Sequence, residues 1–174
     1  MKDNHFDFRI TEIKHGWIFA QANILGHTID LANTYLGGLE LPKALLRVSH
    51  ALLTGRAASE WLCWHGESRA QIWHMEESGG YLRLNIYEAG SSFGLPVCGE
   101  GLERCVRHTE PAITARLDVF TFANRICEAF KDYRYGDTLA QWQNSEFKDY
   151  FPEEEYKILR QALKKEALSG VKNG

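Results

Sequence analysis

The stretch Trp61-Leu62-Cys63-Trp64-His65-Gly66-Glu67-Ser68-Arg69-Ala70-Gln71-Ile72-Trp73-His74-Met75 decides how this chain folds. Two aromatic-rich runs flank Gly66-Glu67-Ser68-Arg69, which has the composition of a turn. The pattern predicts a hairpin with a four-residue loop. Side chains alternate between the faces of a strand, so Trp61, Cys63, His65, Ile72 and His74 fall on one face. Leu62, Trp64, Gln71, Trp73 and Met75 fall on the other. In this register His74 lies opposite Trp61.

Outward from the hairpin, the same alternation recurs on both sides. Phe6, Phe8 and Ile10 alternate with Asp7 and Arg9, and Ile18, Ala20, Ala22 and Ile24 alternate with Phe19, Gln21 and Asn23. Lys14-His15-Gly16 and Gly26 offer turns, and His27 to Leu31 reads as a third strand, giving an antiparallel meander. Leu41, Ala44, Leu45, Val48 and Leu52 recur at helical spacing, with Pro42 suited to the first turn and Gly55 to the position past the end. After the hairpin, Ser78-Gly79-Gly80 turns the chain into Leu82, Leu84 and Ile86, and Ala112 to Leu117 reads as a last strand. Asp118 caps a helix whose stripe runs from Val119 through Phe122, Ile126 and Phe130 to Tyr133. A final helix begins near Pro152, with three glutamates in its first turn and Tyr156, Leu159, Ala162 and Leu163 as its apolar stripe. Short turns between neighbouring strands imply antiparallel pairing. The expected architecture is α+β, one domain, with an antiparallel sheet of about six strands and helices packed on one face.

Composition narrows the function classes. Of 174 residues, 44% are hydrophobic, 25% charged and 12% aromatic, which fits a globular chain and not a disordered one. A net charge of −3 supplies no basic footprint for nucleic acid. No apolar run approaches the roughly 20 residues that span a bilayer, and no apolar segment follows Lys2, so the expected compartment is the cytoplasm. There is no GxGxxG, GxxxxGK[ST], GxSxG or HExxH pattern.

The chemistry-bearing residues are few. Cys98, Cys105 and His108 lie in the Gly-rich stretch Gly90 to Thr109, and thiolate and imidazole are zinc ligands. Their spacing matches no standard knuckle, and the expectation is no metal and no cofactor. His65 and His74 share a face with Cys63, and a Cys/His pair can make a nucleophile. Glu67, Glu76, Glu77 and Glu88 gather around the hairpin, where solvated edge carboxylates guard against aggregation. The aromatics carry the stronger signal: Trp61, Trp64 and Trp73 sit in one hairpin, and a face left open by the helices would present aromatic rings to a partner; the alternative is that helices and the 90–109 loop cover both faces, since Trp is usually well buried.

The order of meander, Asn33-Thr34-Tyr35-Leu36, Leu-rich helix (Leu41 to Leu53), Trp-rich hairpin, strand, Asp118 helix, Tyr135 to Trp142 segment and Phe151-Pro152 helix resembles an uncharacterised family of small bacterial α+β proteins. That family is similar to immunity proteins of polymorphic toxin systems. The resemblance implies the fold first; with the absent catalytic signatures, the aromatic hairpin and the acidic balance, the expectation is a non-enzymatic cytoplasmic binding protein that neutralises a cognate toxin by covering its surface. Trp61, Trp64, Trp73 and Glu67 are then the expected contacts. The alternatives are a small metal-binding or hydrolytic enzyme built on Cys98, Cys105 and His108 or on the hairpin histidines, and a homo-oligomer that buries its open sheet face.

Overall fold

In a computed structural model, residues 5–66, 68–91, 94–135 and 139–170 are described. The chain opens with β1 (Phe6–Lys14), β2 (Trp17–Ile24) and β3 (His27–Thr34), an antiparallel meander. Two-residue turns at His15-Gly16 and Leu25-Gly26, all four residues at positive φ, match the right-handed twist of the strands they join. In β1 the inward set Phe6, Phe8 and Ile10 gives way to Ile13. A bulge between Ile10 and Glu12 absorbs the change of parity, and the Ile13 N–H donates to Gln141 Oε1 at 3.2 Å.

A four-residue helical turn, α1 (Tyr35–Gly38), leads into α2 (Leu41–Leu53). Then come β4 (Ser59–His65), β5 (Ala70–Ser78) and β6 (Tyr81–Ala89), followed by a 3-10 turn over Glu100–Leu102 and the short α3 (Glu103–Val106). The last strand, β7 (Ile113–Asp118), runs directly into α4 (Val119–Tyr135), with Asp118 Oδ1 accepting from the Thr121 N–H at 2.7 Å. The chain ends in α5 (Leu139–Gln143) and α6 (Glu153–Gly170).

The protein is α+β, as its pattern predicts. Among the described residues seven strands form two hydrogen-bonded antiparallel sheets, β1-β2-β3 and β4-β5-β6-β7. The hairpin register is the one read from the sequence, with Trp61 opposite His74 and His65 opposite Ala70. One continuous core unites both sheets with α2, α4 and α6. Phe6 meets Phe122 of α4 at 5.0 Å between ring centroids, Phe8 meets Trp64 at 5.9 Å, and Trp64 meets Trp73 at 5.7 Å. A second centre is Trp142 of α5, ringed by Phe130, Tyr133, Phe147 and Phe151, with its indole N–H donating to the Phe147 carbonyl at 2.8 Å. No helix among the described residues is long and apolar enough to cross a membrane.

The opposite face of the second sheet is also covered. The Cys63 N–H donates to the Val97 carbonyl at 2.8 Å, the Gly99 N–H donates to the Trp61 carbonyl at 3.3 Å, and Leu62 bridges Cys98. The strap that follows sets Leu102 and Val106 on Trp61, Cys63, Ala70 and Ile72 as a small separate core.

β3 and β4 meet without a ladder. Their joint is Asn33, fully buried, whose Nδ2 donates to the Gly38 carbonyl at 2.8 Å and whose Oδ1 accepts from the His65 N–H at 3.3 Å. A Cβ at Gly38 would overlap Asn33 Oδ1, and one at Gly37 would stand 2.9 Å from His65 Nδ1. Gly38→Ala must therefore displace the Asn33 amide and strand two buried hydrogen-bonding groups, at a cost of about 2–4 kcal/mol. Urea unfolding should show that loss as a lowered midpoint with little change in slope.

Candidate recognition cleft

The hairpin tryptophans do not form an exposed surface. Trp64 and Trp73 are 3% and 0% exposed in the main core, and Trp61, 8% exposed, lies under the strap on the other face. The expected contact set therefore splits across the sheet, because a second layer over the 61/63/72 face leaves no aromatic side open. Glu67 lies outside the described residues.

The metal and nucleophile candidates also disperse. Cys98 is half-buried, with its Sγ 4.0 Å from an Arg47 guanidinium nitrogen, whereas Cys105 is exposed and donates to the Gly101 carbonyl at 3.9 Å. His108 is exposed just beyond α3. Among the described residues no three His, Cys, Asp or Glu side chains come together to hold a metal. Burial, and then the neighbouring Cys105, push the Cys63 thiol up to about 12, and burial pushes Cys127 up to about 11. Neither is a ready thiolate near neutral pH.

His74 takes a partner that sequence reasoning did not assign. Its Nε2 lies 3.0 Å from Ser59 Oγ, and its ring stacks on Trp61 at 3.9 Å between centroids. Ser59 is opposite Glu76 in the ladder and so one diagonal step from His74, a neighbour visible only once the register is known.

The cleft with the richest mix of chemistry is at the seam between the sheets. It encloses about 370 Å³ and is lined by Trp17, Asp30 and Ala32 of the first sheet and by Trp64, Gly66, Ser68, Arg69, Ala70, Gln71 and Glu88 of the second. Trp64, Gln71 and Glu88 form one row across β4, β5 and β6. Two polar atoms of this row, Trp64 Nε1 and Gln71 Oε1, are buried with no hydrogen-bond partner among the described residues. Trp73 Nε1 is unmatched too, but Trp73 does not line the cleft. At the rim, Gln21 of the first sheet donates to Asp30 Oδ1 at 2.9 Å.

Beside the cleft runs an aromatic surface. Trp17 and Phe19 stack at 5.9 Å on the face of the first sheet turned away from the helices. Trp17 pairs with Thr34, and the next two residues, Tyr35 and Leu36, stand 40% and 72% exposed. A Cβ at Gly16 would collide with the Tyr35 ring, so this glycine, at φ +73°, is needed both for the turn and for the seat of that ring.

Electrostatics near His74 generate a pH dependence. Burial, more than any neighbouring charge, lowers the pKa of His74 below its ordinary 6.5, with Glu76, Arg83 and Glu103 as its charged neighbours. Burial lowers His50 likewise, with Arg56 adding to the effect. As pH falls below 6.5 the unfolded chain takes up these protons first, so the stability these histidines contribute is full above 6.5 and is lost toward their folded pKa values. Burial raises Glu60 above its ordinary 4.5, which works in the opposite sense as pH falls through its folded value. His74→Gln should lose less stability than the wild type between pH 7 and pH 5, read from urea midpoints at each pH.

Comparison with family models, with curated proteins and with solved structures finds no match for this chain.

Proposed function

We propose that this is a binding protein whose partner is another protein, held at the seam cleft and the aromatic surface beside it, and that neutralising a cognate toxin is the form this binding takes. The observation that carries the reading is the cleft itself. An aromatic wall and charges of both signs stand at one concave place. Such a site suits recognition: aromatic residues supply the contact energy, and the polar groups fix orientation. The order of elements, which resembles that of immunity proteins, supplies the toxin half of the reading. An inhibitor of this kind works by covering the partner's working surface and needs no chemistry of its own. The contact surface is thus Trp17, Tyr35, Leu36 and the cleft residues, in which Trp64 is the one hairpin tryptophan that remains.

The purified product of the adjacent gene should bind this protein in calorimetric titration. Trp17→Ala should weaken that binding by about ten- to a hundredfold, the range expected of a central aromatic contact. Absence of binding at tens of micromolar, or equal affinity for wild type and variant, would overturn the reading.

A second reading, a small hydrolytic enzyme, draws on the Ser59–His74 pair. A serine hydroxyl in hydrogen-bond reach of an imidazole that burial holds neutral is the minimal arrangement for an activated nucleophile. Ser59 also lines an open groove of mixed charge, with Arg83 and Arg116 beside Glu76 and Glu77. On that reading a fluorophosphonate probe labels the wild type and spares Ser59→Ala. Equal signals from the two proteins would dismiss it.

A further inference from the structure

The strap covers Trp61, Cys63, Ala70 and Ile72, and beyond it the same face of the second sheet holds an open groove of about 710 Å³. One row of that groove crosses all four strands: Ser59 pairs with Glu76, Glu76 with Arg83, and Arg83 with Arg116. Side chains of a row share a face, so two guanidinium groups stand directly opposite each other. The Val119 N–H donates to the Gly80 carbonyl at 3.1 Å, a bond that flanks the pair Tyr81 and Asp118. Tyr81 and Asp118 are therefore a non-hydrogen-bonded pair, and Arg83 and Arg116, two residues on, are another, the kind whose side chains stand closer. Like charges so placed weaken a sheet.

The neighbouring acids answer one of the two cations. Arg83 Nη1 lies 3.9 Å from Glu76 Oε2. Glu77 pairs with the core residue Leu82, so its side chain leaves from the other face, and its Oε1 accepts from the Gly80 N–H at 2.8 Å. Asp118 is turned to the Thr121 N–H. Arg116 has no ion pair among the described residues, and its guanidinium lies over the Tyr81 ring, 4.1 Å from the centroid. A guanidinium stacked by its face keeps its in-plane N–H groups, and these form the fork that a carboxylate fits bidentately. The row carries two positive charges against one negative, so the group it takes bears a single negative charge.

We infer that this groove binds a small carboxylate ligand, with its carboxylate held by Arg116, Arg83 beside it, and its body lying along the row toward Ser59. Three strand spacings, about 14 Å, separate Arg116 from Ser59 and set the length of ligand that the row accommodates. The site goes beyond both readings above, since it needs neither a protein partner nor a reactive Ser59.

The test follows the arginine Nε–H resonances of the full chain in a ¹H–¹⁵N spectrum at slightly acidic pH, assigned by comparison with Arg83→Gln and Arg116→Gln. The probes are benzoate and hexanoate, each beside its neutral amide, titrated to tens of millimolar at constant ionic strength. At least one acid should move the Arg116 and Arg83 resonances saturably, and the amides should leave them in place. Arg125, which pairs with Asp7 elsewhere on the surface, should not respond. Arg116→Gln should weaken binding about tenfold, and Arg116→Lys, which keeps the charge and lacks the planar fork, should not restore it. Far-ultraviolet circular dichroism and the urea midpoint confirm that each variant is folded. No saturable shift with either acid, an equal shift with the amides or at Arg125, or undiminished binding by Arg116→Gln overturns the inference. Sulfate bound more tightly than either acid overturns it too, because the row would then select a doubly charged, tetrahedral anion. None of these outcomes bears on the protein-binding reading, which is tested at Trp17.

Discussion

The structure turns on a buried asparagine. The two sheets share no ladder between β3 and β4, and the Asn33 amide is the polar link at their meeting point, tying the Gly38 carbonyl to the His65 N–H. A buried amide held from both ends is a stiff joint, since any rotation strands a polar group in an apolar surround. Gly37 and Gly38 are small because His65 and Asn33 occupy the space that their side chains would fill. The angle of the joint sets how the first sheet's Trp17, Asp30 and Ala32 confront the second sheet's Trp64 and Gln71. The seam cleft follows from that confrontation.

Apolar burial does the bulk of the folding work around this joint. Phe6, Phe8, Trp64, Trp73 and Phe122 link sheet to sheet and sheet to helix through ring contacts within 6 Å. Trp142 gathers the C-terminal segments in the same way, and its N–H is satisfied. The contrast with Trp64 is instructive. One buried indole finds a carbonyl five residues on, and the other, like that of Trp73, finds no partner among the described residues.

Much of this was legible in the chain. The hairpin register, the three-stranded meander, the Asp118 cap and the Pro42 start all follow from local chemistry: alternation, turn residues and capping oxygens act within a few residues of each other. The sorting of Trp61 and Cys63 to one face and Trp64 and Trp73 to the other was legible for the same reason. What covered each face was not. The strap from Leu95 to Val106 carries too few apolar residues to show a period, so its docking on Trp61 and Ile72 depends on contacts with residues more than twenty positions earlier in the chain. Trp61 became a core residue on that account, Trp64 and Trp73 joined the main core on the other face, and the exposed apolar side chains near the seam are Tyr35 and Leu36, beside half-buried Trp17 and Phe19.

The sequence by itself determined the elements, their order, their antiparallel pairing and the face each side chain occupies, because these depend on backbone preferences and spacing over short range. Only the tertiary structure decided that the seven strands of the described residues part into two sheets, that a strap closes the second face, and that Trp17, Asp30 and Ala32 confront Trp64 and Gln71 across a cleft. Those outcomes depend on how distant surfaces compete for one another's apolar area and hydrogen bonds, a contest between segments far apart in the chain that no local pattern records.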